Sequence, residues 1–315
     1  MKPLVGPWPK DPAWHEARKN CIGASEAAAA CGVGEWEQPL DIYLRKRGEI
    51  PEKDENDAMR LGKALEGVIV SEYEHRTQRT LRALPMLFHP EYPFIAATCD
   101  RMVIGGDGGF DFPVEAKSTT RDRLDEFGME GTDDVPIDYL MQCQQQMLVT
   151  DTPKCDLAVL IDGRTLRIYN IPRHEAVIQS LIASESELWE RIQAGDPPEP
   201  DWSHGRTLDL VRKMYRVEAT TCSLPSDVAA LWDEYEFLGQ RIRETEATRR
   251  AVQARVLHAM GDSQVARFAD RQIELVRSQV SPLVFSQEDV LEIQGKLGLV
   301  KRAGYVRLHG RKIKE

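Results

Sequence analysis

The stretch from Phe94 to Lys117 constrains the fold more than any other part of the chain. Runs of apolar and β-branched residues lie on both sides of the glycine-rich segment 105–109, a pattern typical of strands joined by a turn. Successive side chains of a strand point to opposite faces of a sheet. Glu115 and Lys117 are therefore expected to share one face of the returning strand.

Asp100, Glu115 and Lys117 are the residue types that metal-dependent cleavage of a phosphodiester requires. The reaction needs Mg²⁺ held by oxygen ligands, which polarises the phosphoryl group and generates hydroxide from water, with a cation beside it. Two carboxylates and one ammonium group in a single hairpin meet this requirement. The alternative is an ordinary solvated edge strand with a Glu–Lys pair, and on these residues alone it is the stronger interpretation.

The composition is that of an ordinary soluble protein. With 315 residues, 42% of them hydrophobic and 29% charged, the chain has room for one large domain and an accessory one. No apolar run approaches the roughly 20 residues of a membrane span, and the first residues contain no hydrophobic signal core. We therefore expect a cytoplasmic protein. Its six cysteines include no C-x-x-C pair, which argues against a zinc or iron–sulfur site.

The net charge of −10 is unevenly distributed. Residues 1–210 contain 23 Lys and Arg against 37 Asp and Glu, whereas residues 211–315 contain 18 against 14. The last twenty or so residues are the most basic, a pattern suited to phosphate contacts. A solvated tail is an equally good interpretation. If the tail binds DNA, the candidate contact residues are Lys301, Arg302, Arg307, Arg311 and Lys312.

Helical and strand-like stretches alternate through the first two thirds of the chain, which predicts a mixed α/β core with helices on a central sheet. Helices are predicted at about residues 62–79, 136–149 and 173–194, with a second hairpin between the last two. The Gly- and Pro-rich segment 195–200 ends the last of these helices and begins a linker.

The segment from about 226 to 260 has apolar residues at every third or fourth position, which predicts one long helix. Packing of this apolar seam on its own domain and pairing in a coiled coil are both compatible with the pattern. We therefore divide the chain into an α/β domain, residues 1–205, and an α+β C-terminal extension, residues 206–315. The extension is expected to contain the long helix followed by a small basic appendage.

Taken in order, the motifs resemble the YqaJ-type viral recombinase and lambda-exonuclease family, a branch of the PD-(D/E)XK nuclease superfamily. The similarity covers about residues 10–200 and implies a restriction-endonuclease-like core, a central mixed sheet flanked by helices. It rests on several separated segments, which are Trp14–Arg18, Ile22–Ala27, Arg60–Glu66, Cys99–Asp100, Glu115–Lys117 and Tyr139–Met147.

The resemblance implies an activity. Members of the family degrade one strand of linear duplex DNA from its 5′ end with Mg²⁺, and they leave a 3′ single-stranded tail for recombination. The chain contains no G-x-x-x-x-G-K-[ST] loop, so the implied activity is independent of ATP. Mn²⁺ is expected to substitute for Mg²⁺. The implied setting is the cytosol of a bacterium or a phage-infected host.

The resemblance also implies partners. These are double-stranded DNA ends and a phage-type single-strand annealing protein, with assembly into a homo-oligomeric ring and no membrane. The alternatives are an endonuclease or single-strand nuclease of the same superfamily, and a non-catalytic DNA-binding or scaffold protein that recruits an annealing protein.

Matched position by position, the resemblance assigns Asp100, Glu115, the backbone carbonyl of Ala116 and Glu66 to the metal. Lys117 matches the residue that positions or activates water. Before the resemblance is considered, Glu66 is better interpreted as a surface glutamate on a helix.

The resemblance implies two further roles. Gln142 matches a glutamine expected to orient the water or Lys117, although Gln144 is a rival because the register is uncertain by two residues. Arg18 and Ser25 match the pair that receives a 5′-phosphate. A hydroxyl, amides at a helix N-terminus and a guanidinium group suit an anion. Ser25 as a plain helix N-cap is the alternative, and both roles are compatible.

Overall fold

A computed structural model describes residues 2–9, 11–52, 56–215, 221–268 and 274–276. The chain forms two compact units, Met1–Arg216 and Val217–Glu315. The helices are α1 Pro12–Lys19, α2 Ala27–Ala30, α3 Pro39–Lys46, α4 Asp57–Thr77, α5 Ile137–Thr150, α6 Glu175–Ala194, α7 Thr207–Met214 and α8 Ser226–Met260. Short 3₁₀ helices occur at Ala24–Glu26 and Arg121–Glu126.

Within the described ranges, the strands form three sheets. Their bounds are β1 Leu4–Val5, β2 Ile22–Gly23, β3 Leu81–Arg82, β4 Leu87–Phe88, β5 Ile95–Ala97, β6 Arg101–Ile104, β7 Phe110–Thr119, β8 Lys154–Ile161, β9 Thr165–Pro172, β10 Val265–Arg267 and β11 Glu274–Val276. In the second unit, β10 and β11 pair with each other in antiparallel fashion.

The central sheet has five strands in the order β3-β6-β7-β8-β9. Strands β7 and β8 are parallel, and the other pairs are antiparallel. A parallel pair needs a crossover connection, and α5 lies in the segment between β7 and β8. The central mixed sheet flanked by helices, predicted from the alternating pattern, is confirmed.

The two faces of this sheet are covered by different helices, because side chains alternate along each strand. Val114 of β7 packs with Ile69 of α4 on one face. On the other face, Leu157 of β8 packs with Met147 of α5. Glu115 stands beside Leu157 in the parallel register, so its side chain points toward α5.

The helix that precedes the hairpin begins earlier than the sequence pattern predicted. Helix α4 starts at Asp57, because the side chain of Asn56 accepts a hydrogen bond from the Met59 amide at 2.9 Å and caps the first turn. It ends at Thr77, where Gln78 adopts a left-handed conformation with φ of 57°. The added residues, 57–61, form about one and a half turns. They remain largely exposed, so no buried apolar stripe extends into them.

A second sheet, in the order β1-β4-β5-β2, connects the N-terminal region to the hairpin. Strands β2 and β5 are parallel. The side-chain amide of Gln145 in α5 donates to the carbonyls of Ile22 in β2, at 3.0 Å, and Ala96 in β5, at 3.1 Å. One buried glutamine therefore ties both strands to the helix that lies over the central sheet.

The first unit extends beyond residue 205, the boundary expected from the sequence, because α7 packs onto it. Leu210 is buried in a cluster with Leu40 and Leu188. Thr207 Oγ1 accepts a hydrogen bond from Gln38 Nε2 at 2.8 Å. The Pro-rich stretch before α7 thus connects two parts of one unit.

In the second unit, α8 spans Ser226–Met260, the range expected from its apolar spacing. Among the described residues, the apolar seam of α8 is exposed, and only Met260 of this helix is buried. None of the helices in the described ranges combines the length and apolar character that a membrane span requires.

Candidate active site

Glu115 is the most completely hydrogen-bonded carboxylate of the predicted site. Its side chain is 2% exposed. Oε1 accepts from Lys117 Nζ at 2.5 Å and from Gln142 Nε2 at 2.6 Å, and Oε2 accepts from Gln146 Nε2 at 2.6 Å. A buried carboxylate is tolerated only with such partners, which here fix the direction of both oxygens.

Lys117 shares the face of β7 with Glu115, as the alternation predicted, and it lies against α5. Its ammonium nitrogen is 5.4 Å from the centre of the Tyr139 ring. Burial alone would lower the pKa of Lys117, but the negative charges of Glu115 and Asp100 outweigh burial and raise that pKa. The side chain is therefore a fixed positive charge at neutral pH.

Asp100 lies just before β6 and reaches across to β7. Its Oδ2 accepts a hydrogen bond from the Ala116 amide at 2.9 Å. Burial, followed by the negative charge of Glu115, raises the pKa of Asp100 to about 8. Two buried carboxylates thus repel each other here, and either a proton or a cation relieves the repulsion. The chemistry of this donor set fits a divalent cation bound by oxygen.

Glu66, the third predicted carboxylate, is engaged by an arginine that the motif analysis did not assign. Oε1 of Glu66 accepts from Arg101 Nη1 at 2.9 Å, and the same nitrogen donates to the Asp100 carbonyl. Within the described ranges, no three His, Cys, Asp or Glu side chains are arranged as they stand to hold a metal ion. Asp100 and Glu115 fit a cation as a pair, and the role of Glu66 as a further metal ligand stays a prediction.

Helix α5 distinguishes between the candidate glutamines. Gln142 reaches Glu115, whereas Gln144 donates to the Pro172 carbonyl at 2.7 Å and accepts from the His174 amide at 2.9 Å. Gln144 is thus part of the scaffold. Sequence reasoning missed Gln146, although it lies four residues after Gln142 and helical spacing places both on one face.

We expect the substitution Gln146→Leu to weaken the binding of divalent cations by roughly 10- to 100-fold, because Glu115 Oε2 loses its donor and its orientation. Isothermal titration of the folded protein with Mn²⁺ measures this effect. The matched control is Gln144→Leu, which removes a buried amide of the same helix that does not contact Glu115. Equal affinity in wild type and Gln146→Leu would show that this amide does not support the site.

The predicted phosphate-binding residues lie close together at the N-terminal side of the domain. The Arg18 guanidinium is 3.8 Å from Glu26 Oε1 and 5.0 Å from the centre of the Trp14 ring. Ser25 is exposed and directly precedes Glu26 in the 3₁₀ helix. The alternative role of Ser25 as an N-cap is wrong, because Gly23 occupies that position.

Glu26 is a buried carboxylate surrounded by cations. Its Oε2 is 2.8 Å from Lys46 Nζ, while Oε1 is 3.5 Å from Arg45 Nη2. Burial acts to raise the pKa of Glu26, but the positive charges of Lys46, Arg18 and Arg45 outweigh it and lower the pKa. Arg45 also pairs with Glu37 at 2.5 Å, so three cations face two carboxylates, and the pocket keeps a small positive excess beside Ser25.

The basic C-terminal residues predicted to contact DNA lie outside the described residues. They are Lys301, Arg302, Arg307, Arg311 and Lys312. For Ala116, the structure places the backbone amide against Asp100, and the role of its carbonyl as a metal ligand stays a prediction.

Residues 13–153 match the family model of the YqaJ-like viral recombinase domain. A Bacillus subtilis (strain 168) relative, uncharacterized protein YqaJ, is 27% identical over 258 residues, which cover 80% of this chain and 78% of the relative. Residues 13–153 contain every segment that carries the resemblance, and the resemblance to the YqaJ-type viral recombinase family is confirmed for this part of the chain.

Two solved structures are also similar to part of this chain. The alkaline exonuclease LHK-Exo from Laribacter hongkongensis is 20% identical, covers 58% of this chain and 93% of its own, and has a TM-score of 0.48. A phage related exonuclease from Haemophilus somnus 129PT is 12% identical, covers 56% of this chain and 96% of its own, and has a TM-score of 0.43.

Proposed function

We propose that this chain, whose residues 13–153 are a YqaJ-like viral recombinase domain, is a Mg²⁺-dependent, ATP-independent 5′→3′ DNA exonuclease. It degrades one strand of linear double-stranded DNA and leaves a 3′ single-stranded tail for recombination. One observation carries the proposal. Within the matched domain, Glu115 is held by Lys117 and two glutamines beside the buried carboxyl of Asp100.

In this proposal, Asp100 and Glu115 would hold the cation together with the Ala116 carbonyl and Glu66, which would have to leave Arg101. When bound, Mg²⁺ supplies polarisation of the phosphoryl group and a lowered pKa for water. Lys117 remains charged beside Glu115, so it positions the attacking water and offsets charge that develops on the phosphate. Gln142 keeps the Glu115 carboxylate in one orientation, which preserves the spacing of these groups.

The end of the DNA is selected elsewhere in the same domain. Arg18 and the exposed hydroxyl of Ser25 lie in the pocket where three cations surround Glu26. A 5′-phosphate binds there through charge-assisted hydrogen bonds, and this contact fixes which strand enters the cleavage site. Preference for a phosphorylated end is therefore the property that separates an exonuclease of this kind from a general nuclease.

The test uses three DNA substrates of the same sequence with Mg²⁺: linear with a 5′-phosphate, linear with a 5′-hydroxyl, and covalently closed circular. We expect the phosphorylated linear DNA to be digested fastest, from the 5′ end, and the circle to persist. Mn²⁺ should support the same reaction. Cutting of the closed circle would favour an endonuclease instead, and failure to digest any substrate would favour a DNA-binding scaffold.

The proposal includes assembly. A ring of identical chains around DNA, with a phage-type single-strand annealing protein as partner, would keep the enzyme on its substrate over many cycles. The excess of acidic residues in the first 210 positions is compatible with an outer surface that repels DNA and a cationic inner surface. Light scattering on protein bound to a linear duplex measures the assembly, and a monomer on DNA would exclude the ring.

A further inference from the structure

Arg101 lies at the edge of the candidate site, next to Asp100 and Glu66. It directly follows Asp100, and its Cα pairs in the sheet with Val114, the neighbour of Glu115. Its guanidinium contacts Glu66 at 2.9 Å, where the Arg101 and Glu66 side chains are 27% and 34% exposed. The pair therefore faces solvent at the rim of the candidate site, where a ligand has access to it.

The guanidinium group is only partly used. Nη1 donates both to Glu66 and to the Asp100 carbonyl. Within the described part of the chain, Nε and Nη2 have no hydrogen-bond partner. A guanidinium offers a planar fork of donors that matches the oxygens of a phosphate. Arg101 can therefore bind a phosphate with donors that Glu66 does not occupy, and can exchange Glu66 for that phosphate.

Charge balance favours such an exchange. In their ionised forms, Asp100, Glu115 and Glu66 carry three negative charges, and Lys117 and Arg101 carry two positive charges. A divalent cation converts the small negative excess into a positive one. Glu66 is then drawn to the cation, while Arg101 is left beside a region that attracts an anion. The phosphodiester of DNA supplies that anion.

We propose that Arg101 is a substrate-binding residue that exchanges the Glu66 carboxylate for a phosphate of the DNA strand. This inference rests on the proposed function and deepens it. While Arg101 holds Glu66, the carboxylate is withheld from the cation. When a DNA phosphate binds Arg101, Glu66 is released from Arg101. DNA and the divalent cation therefore strengthen the binding of each other, and such coupling is reciprocal.

The experiment measures the two binding reactions separately on the full chain. Titration calorimetry gives the affinity for Ca²⁺ without DNA, since Ca²⁺ is bound by the same kind of oxygen ligands. Fluorescence anisotropy gives the affinity for a 5′-phosphorylated duplex in Ca²⁺, with the DNA checked to be intact. We expect Arg101→Gln to bind Ca²⁺ several-fold more tightly and DNA roughly tenfold more weakly, with the coupling abolished. Arg101→Lys, which keeps the charge, should restore part of the DNA affinity.

The matched control is Arg76→Gln. Arg76 makes the same two kinds of contact, to a carboxylate (Glu130, 3.0 Å) and to a backbone carbonyl (Leu166, 2.6 Å), and it is also partly exposed, at 39% against 27% for Arg101. This variant loses the same charge away from the site and should leave both affinities unchanged. Weaker Ca²⁺ binding by Arg101→Gln, or unchanged DNA binding, would overturn the exchange.

The failure of this inference and that of the proposed function give different results. If wild type digests linear DNA and Arg101→Gln does so with unchanged KM and Ca²⁺ affinity, the exchange is wrong and the exonuclease stands. If wild type digests no DNA but Arg101→Gln binds Ca²⁺ more tightly and DNA more weakly than wild type, the exchange stands and the exonuclease is wrong. A wild type that binds no DNA overturns both.

Discussion

The substitution Lys117→Met is expected to reduce the rate of DNA digestion by roughly a thousandfold. The variant loses the fixed positive charge that lies 2.5 Å from Glu115 Oε1 and raises no steric problem, because the apolar chain of methionine fits the path of the lysine stem. Glu115 keeps its two amide donors, Gln142 and Gln146. The loss of its cation partner leaves the buried Glu115 carboxylate with amide donors only, which is expected to lower stability without abolishing the fold. Initial rates on 5′-phosphorylated linear DNA in Mg²⁺, at a temperature where circular dichroism shows the variant to be folded, measure the loss of activity.

A matched control exists on the neighbouring strand. Lys154 and Asp156 in β8 form a pair two residues apart, with Nζ to Oδ1 at 3.1 Å, in the same spacing as Glu115 and Lys117. Asp156 accepts bonds on the side of the sheet occupied by Tyr73 of α4, away from the candidate site. The substitution Lys154→Met should leave digestion within about twofold of wild type. Digestion by Lys117→Met at the wild-type rate would exclude Lys117 from the reaction.

The largest effect on stability is expected from Glu26→Gln. Glu26 is 5% exposed, and Lys46, its closest partner, is 4% exposed. Removing one partner of a buried ion pair typically costs about 3–5 kcal/mol, because the other charge stays buried without compensation. Arg45 retains Glu37 at 2.5 Å, so Lys46 suffers most. Urea denaturation at neutral pH measures the change in the free energy of unfolding.

This stabilisation should depend on pH in one direction. The folded-state pKa of Glu26 lies below its ordinary value of 4.5, because the cations favour the charged form. The contribution is therefore fully present above the unfolded-state pKa and is lost as the pH falls through the folded-state pKa. The difference in unfolding free energy between wild type and Glu26→Gln should accordingly shrink as the pH is lowered below about 4.5.

The control for Glu26 is Glu16→Gln on the adjacent helix α1. Glu16 and Lys19 form an ion pair of 2.6 Å, but both side chains are exposed, at 69% and 51%. An exposed pair contributes at most about 1 kcal/mol. If Glu26→Gln were no more destabilising than Glu16→Gln, the buried cluster would not be a source of stability, and the positive pocket beside Ser25 would lose its rigid support.

The sequence predicts the central sheet well where the pattern is local. Alternation along β7 places Glu115 and Lys117 on one face, because the period of a strand is two. It does not reveal which helix covers that face. The directions of the Gln142 and Gln144 side chains depend on how α5 crosses the sheet. In the structure, Gln142 donates to Glu115, whereas Gln144 accepts from the His174 amide.

The features of the site that the sequence does not predict depend on contacts between distant segments. Arg101 and Glu66 are 35 residues apart, and Lys46 and Glu26 are 20 apart, so neither pair has a local signature. The weak strands β1 and β4, two residues each, carry too little periodicity to be recognised. Gln146 is the exception, since helical spacing from Gln142 would have been enough to find it.

Helix α5 also sets the spacing between two candidate sites. Gln142 and Gln146 donate hydrogen bonds to the Glu115 carboxylate of the candidate cleavage centre. Gln145 of the same helix donates to the Ile22 carbonyl in β2, the strand that leads into Ser25. Three amides on one helix therefore fix the distance between the candidate 5′-phosphate pocket and the candidate cleavage centre. For an enzyme of the proposed kind, the length of the fragment released in each cycle would then be a constant of the fold, independent of the base sequence.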